Sequence, residues 1–503
     1  MTTHRTGAEL RRMLDHPVID ADGHWLEHPA VVGDELTRIG GEAAARGFLS
    51  FSRAASDSLS MTVAERRRRL LSQEAFWATP TRNTLDRATA MMPALLHHRL
   101  DELGIDFAIM YPTMGLGTTR IADDGDRVAT CRAFNVYQAE QFAPFAHRMT
   151  PAAVIPLHTP EEAIAELDHA FGELGLKAAM FGSLMMRPNP LLVDVDPTLA
   201  LRFGWQDVIG IDSAHDYDPV WERCAQLGVS PTFHTGTRRS GLRTSPSNFV
   251  YNHIGHFAAA GEAVCKALFL GGVTRRFPTL RFGFLEGGAG WAAQLVGDLV
   301  EHWEKRGRLG LEATRPSNLD VSALLELVRQ HGDERFVAVV EAGADRLAAG
   351  DGYTGGVADI DDFHHCRIEV AADIGELFID RFWFGCEADD RMNAVALSAD
   401  HSPFGRPLRA MLGSDIGHFD VEHMNRVLPE AHELVDDGLI TEDDFRRFVF
   451  TNPARFWAET NPSFFVGTSV EQAVADMLSA TDAVGTVDDA VSTVDDAVST
   501  VAD

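Results

Sequence analysis

Four short apolar segments of this chain end in side chains that bind divalent metals. Val18-Ile19-Asp20-Ala21-Asp22 runs into Gly23-His24, with Glu27 one turn later. Val229 to His234 ends in His234-Thr235-Gly236, Arg281 to Glu286 in Glu286-Gly287-Gly288, and Ala410 to Asp415 in Gly413-Ser414-Asp415, with His418 just beyond. Asp22 and His24 are two apart, so on an extended segment both side chains point to one side. Any one of these groups alone reads as a strand-end cap or a satisfied core polar group. Four at equivalent ends form a constellation, and oxygen and imidazole ligands converging there imply a divalent cation. Tyr251-Asn252-His253-Ile254-Gly255-His256 supplies two more histidines ahead of the Arg281 segment, and His256 is the one expected to ligate.

The elements that must position these groups are legible as an alternation of strands and helices. Besides the four segments above, Ile105 to Tyr111, Ala152 to Leu157, Lys177 to Gly182 and Arg381 to Gly385 read as strands. Eight strands separated by helical stretches are what a closed (β/α)8 barrel needs, and barrel enzymes carry their reactive groups at the C-terminal strand ends. An open doubly wound sheet is the structural competitor. Thr159-Pro160-Glu161-Glu162 opens one helix, with Thr as N-cap, Pro in the first turn and acids on the dipole. Asp218-Pro219 opens another, which stops at Gly228. Residues 1–470 are expected to form one barrel domain, with insertions at about 30–100 and 300–380 that serve as lids or oligomer contacts. Trp77, Arg82, Asn83, Asp86 and Arg87 in the first insertion are candidates for a lid that meets an anionic substrate. Residues 471–503 form an acidic tail in which TVDDAVS occurs twice in tandem with a heptad-like valine seam; disorder or a short oligomerisation helix are its two readings.

The segments VIDADGHWLE, LDELGIDFAIMYPT, PTFHTG, RFPTLRFGFLEGGAGW and MLGSDIGHFD resemble the amidohydrolase-2 branch of the amidohydrolase superfamily. The resemblance implies a distorted (β/α)8 barrel with one or two divalent metals. By position it makes Asp22 and His24 the first-strand ligand pair, His234 the fifth-strand ligand and Asp415 the eighth-strand aspartate. It also makes Lys177, which opens the fourth strand, a candidate for carboxylation as a bridging ligand, although a lysine at the barrel rim looks the same. The chain departs from the pattern at Asp22, where His or Glu is common, and at Glu286, where a histidine is routine. With Asp22, Glu27, Glu286 and Asp415, plus His24, His234 and His256, the candidate ligands number too many for one ion and suit two. Carboxylates stabilise higher oxidation states. The altered ligand set therefore resembles the amidohydrolase-fold non-heme diiron or mixed-metal monooxygenases, which include a hydroxylase of antibiotic biosynthesis acting on a diterpenoid thioester. That resemblance implies two metal ions (iron, with manganese or zinc as alternatives), O2 as co-substrate, an external electron donor and an apolar small-molecule substrate, with Lys177, His253 and His418 as catalytic candidates. The alternative expectation is a hydrolase or decarboxylase that turns over without oxygen.

Composition bounds the remaining possibilities. With 44 Lys+Arg against 74 Asp+Glu the formal charge is −30, which disfavours binding to nucleic acid or an anionic membrane. The run Arg66-Arg67-Arg68-Arg69 reads as a solvated helix face. The five cysteines are odd in number, widely spaced and without a CxxC pair, so no disulfide framework is expected. No secretory leader or long apolar span is visible, and a cytoplasmic location and homo-oligomeric assembly are expected.

Overall fold

The computed structural model describes residues 5–74, 82–237, 244–347, 361–418 and 421–480. Eight parallel strands follow one another around a nearly closed barrel: Ile19–Trp25, Phe107–Pro112, Met149–Ile155, Ala178–Phe181, Pro231–Phe233, Phe282–Phe284, Phe382–Cys386 and Arg409–Leu412. Each pairs with the next in chain order. These segments are buried on both faces, which is why they read as continuous apolar runs rather than alternating ones. All eight expected strands are present in the expected order. The first continues through Trp25, so Asp22 and His24 lie within it, next to a register shift between Asp20 and Gly23.

Past the end of the eighth strand, the barrel is closed by backbone bonds to the first. The Asp415 N–H donates to the Asp22 carbonyl (3.0 Å) and the His24 N–H to the Ile416 carbonyl (3.2 Å). The buried Asp20 carboxylate reinforces the seam by accepting from the Ser414 N–H (3.0 Å) and hydroxyl (2.5 Å).

The helices begin and end where local chemistry directs. Thr159 caps Pro160–Leu167 in a reciprocal box with Glu162, and Asp218–Leu227 ends at Gly228 in the left-handed conformation. The first insertion is helical: Pro29–Ser60, kinked at Gly41, then Val63–Arg69, Thr84–Met91 and Pro93–Leu103. The second includes Val321–His331 and Glu334–Ala342. A short antiparallel ribbon, Met185–Arg187 with Trp205–Asp207, follows the fourth strand and has no clear sequence signal.

Three expectations change. Arg66 is not on a solvated face. It is buried, with its guanidinium donating to the carbonyls of Pro246, Ser58 and Met61, while Arg67, Arg68 and Arg69 are exposed. Asn83 caps the helix that follows it, and Asp86 is buried in an ion pair with Arg99 at 2.6 Å, so both hold the insertion together; Trp77 lies outside the described residues. Residues 471–480 are helical and Val474 packs into the core, so the ordered body extends past 470; the tandem repeat lies outside the described residues. The five cysteines are free and buried, and no described helix is long and apolar enough to cross a membrane.

Candidate metal centre

At the C-terminal mouth of the barrel the first, fifth and eighth strands bring two aspartates and two histidines together. His24 Nε2 and His234 Nε2 face each other at 3.0 Å, although 210 positions separate them in sequence. Asp22 Oδ1 lies 2.9 Å from His234 Nε2 and 3.4 Å from His24 Nε2, and Asp415 Oδ1 lies 3.5 Å from His24 Nε2. Ligand atoms held about 2.0–2.2 Å from a common ion stand roughly 3.0–3.5 Å apart, so the spacing of Asp22, His24 and His234 is that of a coordination shell, which Asp415 meets at His24. All four residues are buried.

Electrostatics favours the ligand protonation states. Burial pushes the Asp22 carboxyl upward, but the His234 and His24 imidazoles outweigh it and bring it down to about 2. Burial holds His24 below the usual histidine range. Asp22 is thereby held as the carboxylate that a divalent cation takes as a ligand, and burial disfavours the protonated form of His24. Beneath them the Tyr111 hydroxyl bonds Thr232 Oγ1 at 2.9 Å, and burial keeps that phenol well above its ordinary pKa.

Two further groups border this shell. His418 Nδ1 lies 2.5 Å from Asp415 Oδ1, its ring lies 4.0 Å from that of His24, and its Nε2 is 3.2 Å from Thr113 Oγ1. Glu286 joins His24, Asp415 and His418 in a second set of ligand-type atoms all within 4.8 Å of one another, and its Oε2 is 3.9 Å from His234 Nδ1. Glu286 and Asp415 both adopt positive φ (56° and 48°), a conformation that costs a non-glycine residue about 1–3 kcal/mol and clusters at functional sites. Strain falls at the two strand ends where carboxylates are turned inward.

Other candidates fall outside the shell. Glu27 is buried but faces away. Its Oε2 accepts from the N–H groups of Thr113 (3.1 Å) and Met114 (2.8 Å), and its Oε1 from Gly115 (2.8 Å). It caps the turn after the second strand and is not a metal ligand. Burial lifts its carboxyl to about 7. Lys177 is at the opposite end of the barrel, because it precedes the fourth strand instead of following it. Its ammonium donates to the Phe464 carbonyl at 2.7 Å, which removes it from a bridging or catalytic role. His253 and His256 line the cavity above the metal position, but neither belongs to either ligand set among the described residues. His256 begins the helix His256–Leu270, and its Nδ1 passes over Gly236, where a Cβ would lie only 1.8 Å away. The glycine after His234-Thr235 is therefore a requirement of that close approach.

Sequence reasoning missed the residues that aim the ligands. Asp20 ties Ser414 to the first strand, with burial raising its carboxyl to about 7. Ser183 and Thr235 exchange hydrogen bonds between the ends of the fourth and fifth strands (2.6 and 3.2 Å), fixing the segment after His234. The small polar residues next to strand ends were the available signal.

The cavity above the cluster has a volume of about 440 Å³ and reaches from His234, Glu286 and His418 to the insertion helix at Phe51 and Leu59.

Comparison with known proteins yields a family match. No curated protein matches the chain significantly. Among solved structures, an amidohydrolase from Mycobacterium avium subsp. paratuberculosis aligns at 16% identity and a TM-score of 0.49, covering 88% of this chain and 98% of that one. A dihydroxybenzoic acid decarboxylase from Polaromonas sp., with bound manganese and 2-nitroresorcinol, aligns at 14% and 0.46, covering 90% and 99%. A 5-carboxyvanillate decarboxylase from Sphingomonas paucimobilis aligns at 13% and 0.44, covering 88% and 98%. Similarity this distant says nothing about substrate. The family model described as Amidohydrolase, of the amidohydrolase-2 type, matches residues 19–348, a span that starts at the first strand and takes in Asp22, His24, His234 and Glu286, and the chain belongs to that family.

Proposed function

We propose that this chain is a metal-dependent enzyme of amidohydrolase type that works without oxygen, by hydrolysis or decarboxylation, on a single divalent ion held by Asp22, His24, His234 and Asp415. The observation that carries this reading is the mutual spacing of Asp22 Oδ1, His24 Nε2 and His234 Nε2, 2.9–3.4 Å, with Asp415 Oδ1 3.5 Å from His24 Nε2. One imidazole nitrogen binds one ion, and His24 Nε2 lies within 3.5 Å of His234 Nε2, Asp22 Oδ1 and Asp415 Oδ1 alike. A divalent ion in such a site polarises a substrate carbonyl or carboxylate and acidifies a water. Asp415 is placed to take a proton, and His418, 2.5 Å away, to receive it from Asp415. Thr113 Oγ1 holds the far side of that imidazole. Glu286 presents a carboxylate beside these groups, where it orients a polar substrate head or repels a second anion.

A second reading, a dinuclear oxygenase using two iron ions, O2 and an external electron donor, is favoured by one feature: the two ligand sets that share His24 together hold six groups, with Glu286 and His418 beyond the four. Metal quantification on anaerobically purified protein separates the two. The first reading expects about one ion per chain, lost in Asp22→Asn and His234→Ala, and anaerobic turnover of carboxylate or amide substrates. Two irons per chain with oxygen-dependent turnover would establish the second, and a protein without tightly bound metal would refute both.

A further inference from the structure

We infer that the substrate has two ends: a polar, metal-seeking head and an apolar tail that lies along the insertion helix Pro29–Ser60. This deepens the metal reading above and rests on it. His234, Glu286 and His418 gather at the floor of the cavity, and its surface as a whole is mainly apolar, with Ser52, Ser56, Glu74 and Arg120 the polar side chains among the residues toward the insertion. Phe51 and Leu59 of the insertion helix, Met114 and Leu116 of the turn after the second strand, and Phe257 provide that wall. The charged side chains that reach it, Glu74 and Arg120, each have an interaction of their own. A volume of about 440 Å³ exceeds what a head group alone would fill and lies within the range of small-molecule pockets.

The wall is built, not a loose flap. Phe51 seats its ring against the backbone of Gly117, so closely that a Cβ there would lie 1.9 Å from the ring. Gly117 belongs to the 3-10 turn Gly115–Arg120, and Glu27 caps the entry to that turn through the Thr113, Met114 and Gly115 N–H groups. The same carboxylate therefore fixes both Thr113, which contacts His418 at the floor, and the seat of Phe51 on the wall. Head and tail positions are set by one rigid turn. The chemistry that fits is an amphiphile: a carboxylate, amide or ester head on an alkyl, alicyclic or aryl body.

Binding of a homologous alkyl hydroxamate series, from two to eight carbons, to the metal-loaded full-length chain tests this by calorimetry, independently of turnover. The hydroxamate supplies the metal-seeking head, and each methylene buried is expected to lower the dissociation constant about fourfold, over at least three successive homologues. Phe51→Asp should flatten the series, so that affinity no longer rises with chain length; Leu59→Asp, at a more exposed position of the same wall, serves if Phe51→Asp does not fold. Metal-dependent binding of the short hydroxamate with an affinity flat across the series would overturn the tail assignment and leave the metal reading standing. Absence of any metal-dependent binding would overturn both.

Discussion

Glu27→Gln tests whether a buried carboxylate beside the metal centre ligates or caps. In the folded protein Oε2 accepts two backbone N–H groups at 3.1 and 2.8 Å and Oε1 accepts a third at 2.8 Å. A glutamine can keep its carbonyl oxygen at the first position but sets an NH2 against the third donor. A buried donor left without its acceptor costs about 1–3 kcal/mol. Against this, burial raises the wild-type carboxyl from 4.5 to about 7, equivalent to about 3 kcal/mol that the ionised form carries and the neutral amide does not. Because the folded-state value lies above the unfolded one, the wild-type contribution is fully present below pH 4.5 and is lost as pH rises through about 7. Urea denaturation of wild type and Glu27→Gln across pH 5–8, with identical metal loading, should show the variant less stable by about 2 kcal/mol at pH 5, with the gap closing toward pH 8. Metal content should be unchanged. A gap that widens with pH, or a loss of bound metal in a variant that remains folded, would falsify the capping role.

Two other substitutions follow from the same geometry. Gly236→Ala places a methyl where His256 Nδ1 lies 1.8 Å away, so the imidazole must leave its position; thermal melts should show a loss of about 1–3 kcal/mol, and histidine NMR a displaced His256 resonance. An unshifted resonance at wild-type stability would contradict the packing. Lys177→Met removes the bond to the Phe464 carbonyl at the opposite end of the barrel and should lower stability by about 1–2 kcal/mol with metal stoichiometry untouched; a fall in bound metal would restore the lysine to the site.

Much of the fold is visible in the sequence because its signals are local. Apolar runs of four to seven residues, capped helices such as that after Thr159, and stops such as Gly228 are decided within a few residues, and all eight strands lie where the pattern puts them. The ribbon after the fourth strand is not visible, because Met185–Arg187 and Trp205–Asp207 are too short for any period to show. Of the site, Asp22, His24, His234 and Asp415 were legible because strand-end position alone brings them to the barrel mouth. Glu27 and Lys177 misled for the opposite reason. Their residue types and sequence positions suited ligands, but side-chain direction and competing partners, backbone N–H groups for one and a carbonyl for the other, sent them elsewhere.

From the residues alone one reads eight strands, four of which end in carboxylates and imidazoles of the types that bind a divalent cation. Which of those groups come within coordination distance of one another depends on the closed barrel. His24 and His234 meet at 3.0 Å only because the strands between them wrap into a cylinder, and Asp415 is aimed only because Asp20 holds Ser414 across the closing seam. Coordination is set by atom positions over a few tenths of an ångström, and at that scale the competition among backbone donors, buried charge and strained strand ends is a property of the closed barrel and of no segment within it.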